Sequence, residues 1–502
     1  MIPSKSSPKP QNHQSLVFKS AIVSRLLLLA LILLWRSLLS PYDTSAPLDA
    51  NCLSTNTSLP HSPEEKLLWP SMASAIESSI VWDGVYFVRS AHCGYEYEQS
   101  YAFLPLLPLC ISSLSRTVFA PLVPVIGKRA VLGLSGYVIN NIAFVFAAAY
   151  LYWLSVTILK DREAAFRASI LFCFNPASIF YSSIYSESLY ALLSIGGLYH
   201  LVSGRNTIAV PCLALSGLAR SNGILNAGYI CFQTMHRTYN AILRKKIFLT
   251  MQVLVSGALR CLCIFAPFLA FQAYGYYNMC HGHFPNKMRP WCKERVPLLY
   301  NYIQSRYWGV GFLRYFQFKQ LPNFLLASPI LSLALSSLVC YAKSKPEKFF
   351  SLGFRASTKE KNSTAVFFIP DTGLRSNVTK TKGKSSSKVQ ENHNLRPKKQ
   401  MMKGDVSNQL SEQSESYTEI GYLSVFVLPF ILHLGFLAAT AFFVMHVQVA
   451  TRFLSSSPVL YWFASYLMKS PVGRRWVYMI WAYSAAYILL GSLLFSNFYP
   501  FT

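Results

Sequence analysis

Hydrophobic residues in this chain fall in long unbroken blocks separated by short polar ones, with neither the two-residue alternation of strands nor a narrow apolar stripe. Blocks at 26–35, 131–158, 164–181, 185–203, 247–273, 323–342, 420–445, 456–468 and 475–498 run from 10 to 28 residues, around the roughly 20 apolar residues that cross a bilayer as helix. They predict an all-α polytopic membrane protein with about nine full spans. Two further apolar stretches are interrupted. Residues 102–126 carry Pro105, Pro108, Pro121 and Pro124, and predict a broken or interfacial element. Residues 207–233 are broken by Arg220-Ser-Asn-Gly223 and flanked on both sides by basic residues (Arg205; Arg237, Arg244, Lys245 and Lys246). Basic flanks at both ends predict a stretch that turns back inside the membrane.

The polar blocks orient the spans. Residues 1–20 are basic (Lys5, Lys9, Lys19) and read as a cytosolic tail, and no small-residue cleavage site follows the 26–35 run promptly, so that run reads as an uncleaved anchor. Residues 41–100 hold only Lys66 and Arg89 as Lys or Arg, but eight of the chain's twenty acids, and carry the glycosylation sequon Asn56-Thr57-Ser58. They read as a lumenal loop. A second lumenal loop is predicted at 274–322, although it contains Lys287, Arg289, Lys293, Arg295, Arg306, Arg314 and Lys319. Charge of that kind beside many Tyr and Trp suits phosphorylated lipid headgroups. Residues 343–418, with fifteen Lys or Arg against seven acids, read as a disordered basic cytosolic insertion between the membrane domain 21–342 and its continuation 419–502. The sequons at Asn362 and Asn377 would then be silent. The basic turn 469–475 is cytosolic on this scheme, which leaves the carboxyl terminus lumenal.

Composition agrees. Of 502 residues, 52% are hydrophobic, 15% aromatic and 13% charged, about half the charge of a soluble domain. The net charge of +26 sits in loops and carries no arginine-glycine or RNA-binding aromatic pattern, so it points to membrane lipid and not to nucleic acid. Eleven cysteines show no CxxC pair, no HExxH occurs, and His281 and His283 stand isolated, so no metal site is predicted. Cys52, Cys93, Cys280 and Cys292 fall in the two lumenal loops, where disulfides are permitted.

Candidate chemistry collects at the lumenal ends of the spans: Trp82, Asp83, Glu98, Asn175, Glu187, Tyr302, Arg306, Trp308, Gln448 and Arg452. Asp83 and Glu98 are acids among aromatics, a setting in which burial raises a carboxyl pKa and suits it to take a proton from a hydroxyl. Glu187 opens a span and calls for a partner or a role, Arg220 being one partner. Arg452 stands between two apolar runs where it can grip phosphate or anchor the interface. The residues alone leave a lipid-using enzyme, a transporter and a scaffold all open.

Six phrases, in order, narrow this. Trp82-Asp83, Phe174-Asn-Pro-Ala-Ser-Ile-Phe180 with Tyr185-Ser-Glu-Ser-Leu189, Tyr300-Asn-Tyr-Ile-Gln304, Tyr307-Trp-Gly-Val-Gly-Phe312, Pro322-Asn-Phe-Leu-Leu326 and His446-Val-Gln-Val-Ala-Thr-Arg-Phe-Leu454 together resemble the Pig-V family from residue 80 onward. The resemblance implies a GT-C glycosyltransferase of the endoplasmic reticulum. It would move mannose from dolichyl-phosphate mannose to the mannosyl-glucosaminyl-phosphatidylinositol acceptor of glycosylphosphatidylinositol (GPI) anchor assembly, in α-1,6 linkage and with inversion. It further implies a lumenal site, Asp83 as base, no cofactor, and room for a small membrane subunit. Many GT-C enzymes carry paired acids where this chain has Asp83-Gly84, so Glu98 or Glu96 is the alternative second acid. A different lipid-linked GT-C enzyme, building N-glycan precursors, is the nearest competing reading.

Overall fold

Prolines set where many helices of this chain begin. The computed structural model describes residues 12–42, 52–53, 67–281, 289–357, 421–470 and 473–499, and every regular element among them is helical. Helix α1 (His13–Leu38) is followed by α2 (Pro70–Ser78), α3 (Asp83–Cys93), α4 (Leu106–Arg116) and the long α5 (Val123–Leu159). The four prolines of 102–126 do break that stretch, and each sits at a start. Pro105 caps α4, Pro108 lies in its first turn, Pro121 opens a 3-10 turn and Pro124 sits in the first turn of α5. An N–H at such a position has no helical acceptor, so losing it costs little. Gly127, at φ +81°, kinks α5 near its start.

Helices α6 (Arg162–Cys173), α7 (Ser178–Ser182) and α8 (Glu187–Val202) pack around α5. Close approach is enabled at Gly136, where a Cβ would stand 2.8 Å from Ile184 Cγ2. The chain continues as α9 (Asn206–Ala219), α10 (Ala227–Leu243), α11 (Ile247–Cys280), α12 (Leu299–Arg306), α13 (Leu321–Ser344), α14 (Leu428–Phe443), α15 (Ala450–Leu454), α16 (Pro458–Met468) and α17 (Gly473–Ser496).

Among the described residues, six segments are long and apolar enough to cross a membrane: His13–Leu38, Ala120–Leu159, Ile247–Cys280, Phe318–Ser344, Val425–Phe443 and Gly473–Ser496. Three of the nine expected spans are shorter. The 164–181 block is two helices of 12 and 5 residues, the 185–203 block a helix of 16 and the 456–468 block one of 11. Most of their residues are buried within the bundle. Hydropathy does not separate a helix that is apolar because it faces lipid from one enclosed by protein.

The 207–233 stretch rises as α9 and returns as α10. Gly197 of α8 abuts Leu213 of α9, and Arg220 past the end of α9 reaches Glu187 at the start of α8, so these helices are antiparallel. Thr234 lies against Gly257, and Cys231 Sγ is 3.7 Å from Cys261 Sγ, so α10 runs antiparallel to α11. The break between them is the Arg220–Gly223 turn.

The bundle has two distinct ends. At one, Trp82 Nε1 donates to Phe495 O at 3.0 Å, and Arg36 Nη1 donates to Ser496 O at 3.3 Å, joining α1, α3 and α17. At the other, Gly421 N–H donates to Leu159 O at 2.8 Å and Tyr341 Oη donates to Ser424 O at 3.1 Å. Tyr137, bonded to Ser79 at the first end, lies roughly 33 Å up α5 from Leu159 at helical rise. The four loop cysteines pair as Cys52–Cys93 and Cys280–Cys292. The reading of 343–418 as disordered falls largely, and the three sequons wholly, outside the described residues.

Candidate active site

Asp83 owes its position to an unusual backbone. Trp82 caps α3 at φ +52° and ψ −130°, a left-handed conformation that a bulky residue rarely adopts. Such a residue costs on the order of 1–3 kcal/mol and persists only where its surroundings hold it. Here the indole is bonded to Phe495 O and its ring lies 5.6 Å from that of Phe498. The Asp83 N–H then donates to Tyr185 Oη at 3.1 Å, fixing the first turn of α3 against the chain between α7 and α8.

Opposite stands Arg452, from the five-residue helix α15. Its Nη1 donates to Asp83 Oδ2 at 3.3 Å, and its Nε lies 3.8 Å from Glu187 Oε1. The same Glu187 oxygen pairs with Arg220. Asp83, Arg452, Glu187 and Arg220 thus form an alternating chain of two carboxylates and two guanidiniums. Burial opposes the charge on Arg452, but attraction from Asp83 and Glu187 outweighs it and lifts its pKa above the ordinary value. Its guanidinium also lies over the Phe180 and Tyr185 rings, at 5.2 and 5.5 Å.

Asp83, Arg220 and Arg452 face an open cleft. Its walls come from distant parts of the chain: Phe87 and Ala102–Leu104, Tyr185 and Ser186, the turn 219–222, then Tyr300, Gln304, Trp308 and Val310, and finally Met445, His446, Val449 and Phe453. Of the ten residues expected from sequence, Asp83, Trp308 and Arg452 line it, and Glu187 lies behind Arg220 and Arg452.

The other six lie elsewhere. Glu98 is buried outside the cleft, where Trp291 Nε1 and Tyr307 Oη each donate to one of its oxygens at 2.6 Å and Arg289 Nε lies at 3.9 Å. Its carboxylate is consumed in tying the first loop to the second, which does not fit a catalytic role. Glu96 is taken up by Arg89, whose Nη2 donates to it at 2.7 Å. A Cβ at Gly84 would make ordinary contacts, 3.5 Å from Ile184 O and 3.7 Å from Ile80. Trp82 stands behind Asp83. Asn175 caps the α6–α7 break, its Oδ1 accepting the Ala177 N–H at 2.8 Å. Tyr302 packs on Trp291, Arg306 is exposed at the end of α12, and Gln448 accepts from Tyr315 Oη at 2.6 Å. Arg220 was legible as a partner of Glu187. Asn222, Tyr300, Gln304 and His446 were not singled out, and only their place in the motifs or in the 220–223 break could have flagged them.

A bundle of apolar helices with an acid–arginine cleft at one end fits a multi-pass membrane protein. The family described as Mannosyltransferase (PIG-V) matches residues 14–502, and the chain belongs to it. It is 28% identical to GPI alpha-1,6-mannosyltransferase 2 of Homo sapiens, over 84% of this chain and 87% of that protein. It is 27% identical to GPI mannosyltransferase 2 of Drosophila melanogaster, over 84% and 86%, and 30% identical to GPI mannosyltransferase 2 of Cryptococcus neoformans var. neoformans, over 67% and 73%. No solved structure matches the chain.

Proposed function

We propose that this protein transfers the second mannose, in α-1,6 linkage, from dolichyl-phosphate mannose to the mannosyl-glucosaminyl-phosphatidylinositol intermediate, at the lumenal face of the endoplasmic reticulum. The carrying observation is the cleft in which Asp83 meets Arg452 while Arg220 lines the same wall. The names of the relatives support the linkage and the acceptor. The two disulfides, Cys52–Cys93 and Cys280–Cys292, lie in the two loops expected to be lumenal and support that side.

The step is a single in-line displacement. Asp83 takes the proton of the acceptor 6-hydroxyl, the oxygen bonds to C1 of the mannose, and the C1–O bond to phosphate breaks. The electron pair leaves with dolichyl phosphate, which gains a negative charge. Asp83 loses its own charge on protonation, so Arg452 loses a counter-ion at the moment the phosphate needs one. Arginine charge thereby passes from base to leaving group without any group having to be recruited. In this proposal Arg220 and Arg452 meet the phosphate, and neither metal nor cofactor is invoked.

The test is complementation of cells that lack the activity. The wild-type chain restores GPI-anchored surface proteins and clears a one-mannose GPI lipid. Accumulation of a truncated dolichol oligosaccharide in null cells, with the one-mannose GPI lipid absent, would transfer the assignment to N-glycan precursor assembly.

A further inference from the structure

A second cavity lies beside the cleft, and the reaction as described does not use it. Two walls run from one into the other. On α3, Asp83 and Phe87 line the cleft while Ser90, Ala91 and Gly94 line the cavity, so one helical face at three- and four-residue spacing serves both. On the next segment Ala102–Leu104 line the cleft, and Pro105, Pro108, Ser112 and Arg116 line the cavity. Phe271 and Tyr274 of α11 close the far side.

The cavity is basic and borders apolar surface. Burial, and then the charges of Lys128, Arg129, Arg89 and Arg116, hold the His92 pKa below its ordinary value. Arg89 and Arg129 stand beside Glu96 and Glu77, but among the described residues neither Arg116 nor Lys128 has an acidic partner. Arg116 is exposed and shares the cavity face of α4 with Pro108 and Ser112 at four-residue spacing. The Ser90 and Ser112 hydroxyls, one on each wall, have no hydrogen-bond partner among the described residues, and neither is closed to water. Leu109 and Tyr274, also part of the lining, are 58% and 48% exposed, and Tyr274 belongs to a helix long enough to span the membrane. An anion carrying hydrocarbon chains suits such a place.

We propose that this cavity holds the inositol phosphate of the acceptor lipid while the acceptor's mannose reaches Asp83. The inference rests on the mannosyltransferase reading and adds to it the site of the acceptor's anion. Distance selects the acceptor over the donor. His92 stands nine residues along α3 from Asp83, roughly 14 Å at helical rise. The donor's phosphate is bonded to the carbon under attack, so it stays in the cleft with Arg220 and Arg452. In the acceptor, mannose, glucosamine and inositol lie between the reactive hydroxyl and the phosphate, and three linked rings can span that gap. The chemistry matches as well. Arg116 supplies the charge and forked donors that a phosphodiester accepts, and Ser90 and Ser112 can exchange hydrogen bonds with inositol hydroxyls.

The experiment uses the full-length protein in detergent with dolichyl-phosphate mannose and three acceptors: the one-mannose GPI lipid, its water-soluble headgroup with the phosphate, and the same headgroup without it. Arg116→Gln removes the charge at an exposed position, and Arg116→Lys keeps it. With Arg116→Gln the KM for both phosphate-bearing acceptors rises on the order of tenfold, the worth of one charge-assisted hydrogen bond. The KM for the phosphate-free headgroup, the donor KM and the melting temperature stay at their wild-type values. Arg116→Lys recovers most of the loss. An unchanged KM for the phosphate-bearing acceptors overturns the proposal. So does an equal rise for the phosphate-free headgroup, or a rise accompanied by a falling melting temperature, either of which marks Arg116 as structural. A rise that appears only when phosphatidylinositol is added to the detergent assigns the cavity to bulk lipid and overturns the proposal too. A wild-type protein that transfers mannose to none of the three acceptors overturns the functional reading itself, a result distinct from any of these.

Discussion

At the scale of single residues, the site is a balance of charges. Asp83 faces an arginine, and Glu187 is buried between two. Asp83→Asn keeps the shape of the turn at Trp82 and removes the proton acceptor. Transfer should fall by about 10²–10⁴, the usual worth of a general base, in an assay of microsomes with matched protein levels. Full activity in that variant would remove Asp83 as base. Glu187→Ala has a different signature. It leaves Arg220 and Arg452 without their shared counter-charge, and breaking a buried pair in this way costs about 3–5 kcal/mol. The expected outcome is a large drop in melting temperature in detergent, and a melt equal to wild type would show that the two guanidiniums reach water. Asp83 and Arg452, each a charge inside an aromatic or apolar phrase, both line the cleft. Sequence singled out Glu98 for the same reason, since the phrase shows the acid and the aromatics nearby but not that Trp291 and Tyr307, some two hundred residues on, use both its oxygens.

At the scale of elements, that same contact becomes informative. Glu98 opens a 3-10 turn whose end, Ala102, begins one wall of the cleft, and Tyr307 precedes Trp308 on the facing wall. Glu98 therefore clasps two loops that both contribute to the cleft, an arrangement that suits a positioning role. Glu98→Gln removes one of two acceptors and loosens the clasp. It should raise KM several-fold while kcat stays within about tenfold of wild type, in the pattern of lost ground-state binding. A loss of kcat like that of Asp83→Asn would instead make Glu98 part of the chemistry. Hydropathy located the apolar blocks but not which of them are enclosed by others, because enclosure depends on partners far along the chain: α16 is as apolar as a span yet has 11 residues, and α6 and α7 part at Asn175-Pro176. The prolines of 102–126 were legible as breaks, and their use as helix starts follows from geometry that sequence does not display.

For the whole molecule, the separation of the two bundle ends makes topology testable. Asp83, Trp82 and the ends of α1 and α17 share one end. Tyr341 and Gly421–Ser424, on either side of the 358–420 segment, meet α5 at Leu159 or each other at the opposite end, roughly 33 Å away at helical rise. Chain that leaves from opposite ends of a membrane bundle enters opposite compartments. Asn56 follows Leu53 by three residues in the sequence, and Cys52 is tied to Cys93 at the end of α3. Asn362 and Asn377 follow Ser357 in the sequence. Glycan addition occurs only in the lumen, so a glycan on Asn56 and none on Asn362 or Asn377 is the pattern expected if the cleft is lumenal. The measurement is the gel shift on endoglycosidase treatment: Asn56→Gln should abolish it, and the paired substitution Asn362→Gln with Asn377→Gln should leave it unchanged. The reverse pattern would invert the protein, place Asp83 in the cytosol with two disulfides on the reducing side, and require a donor whose mannose faces the cytosol.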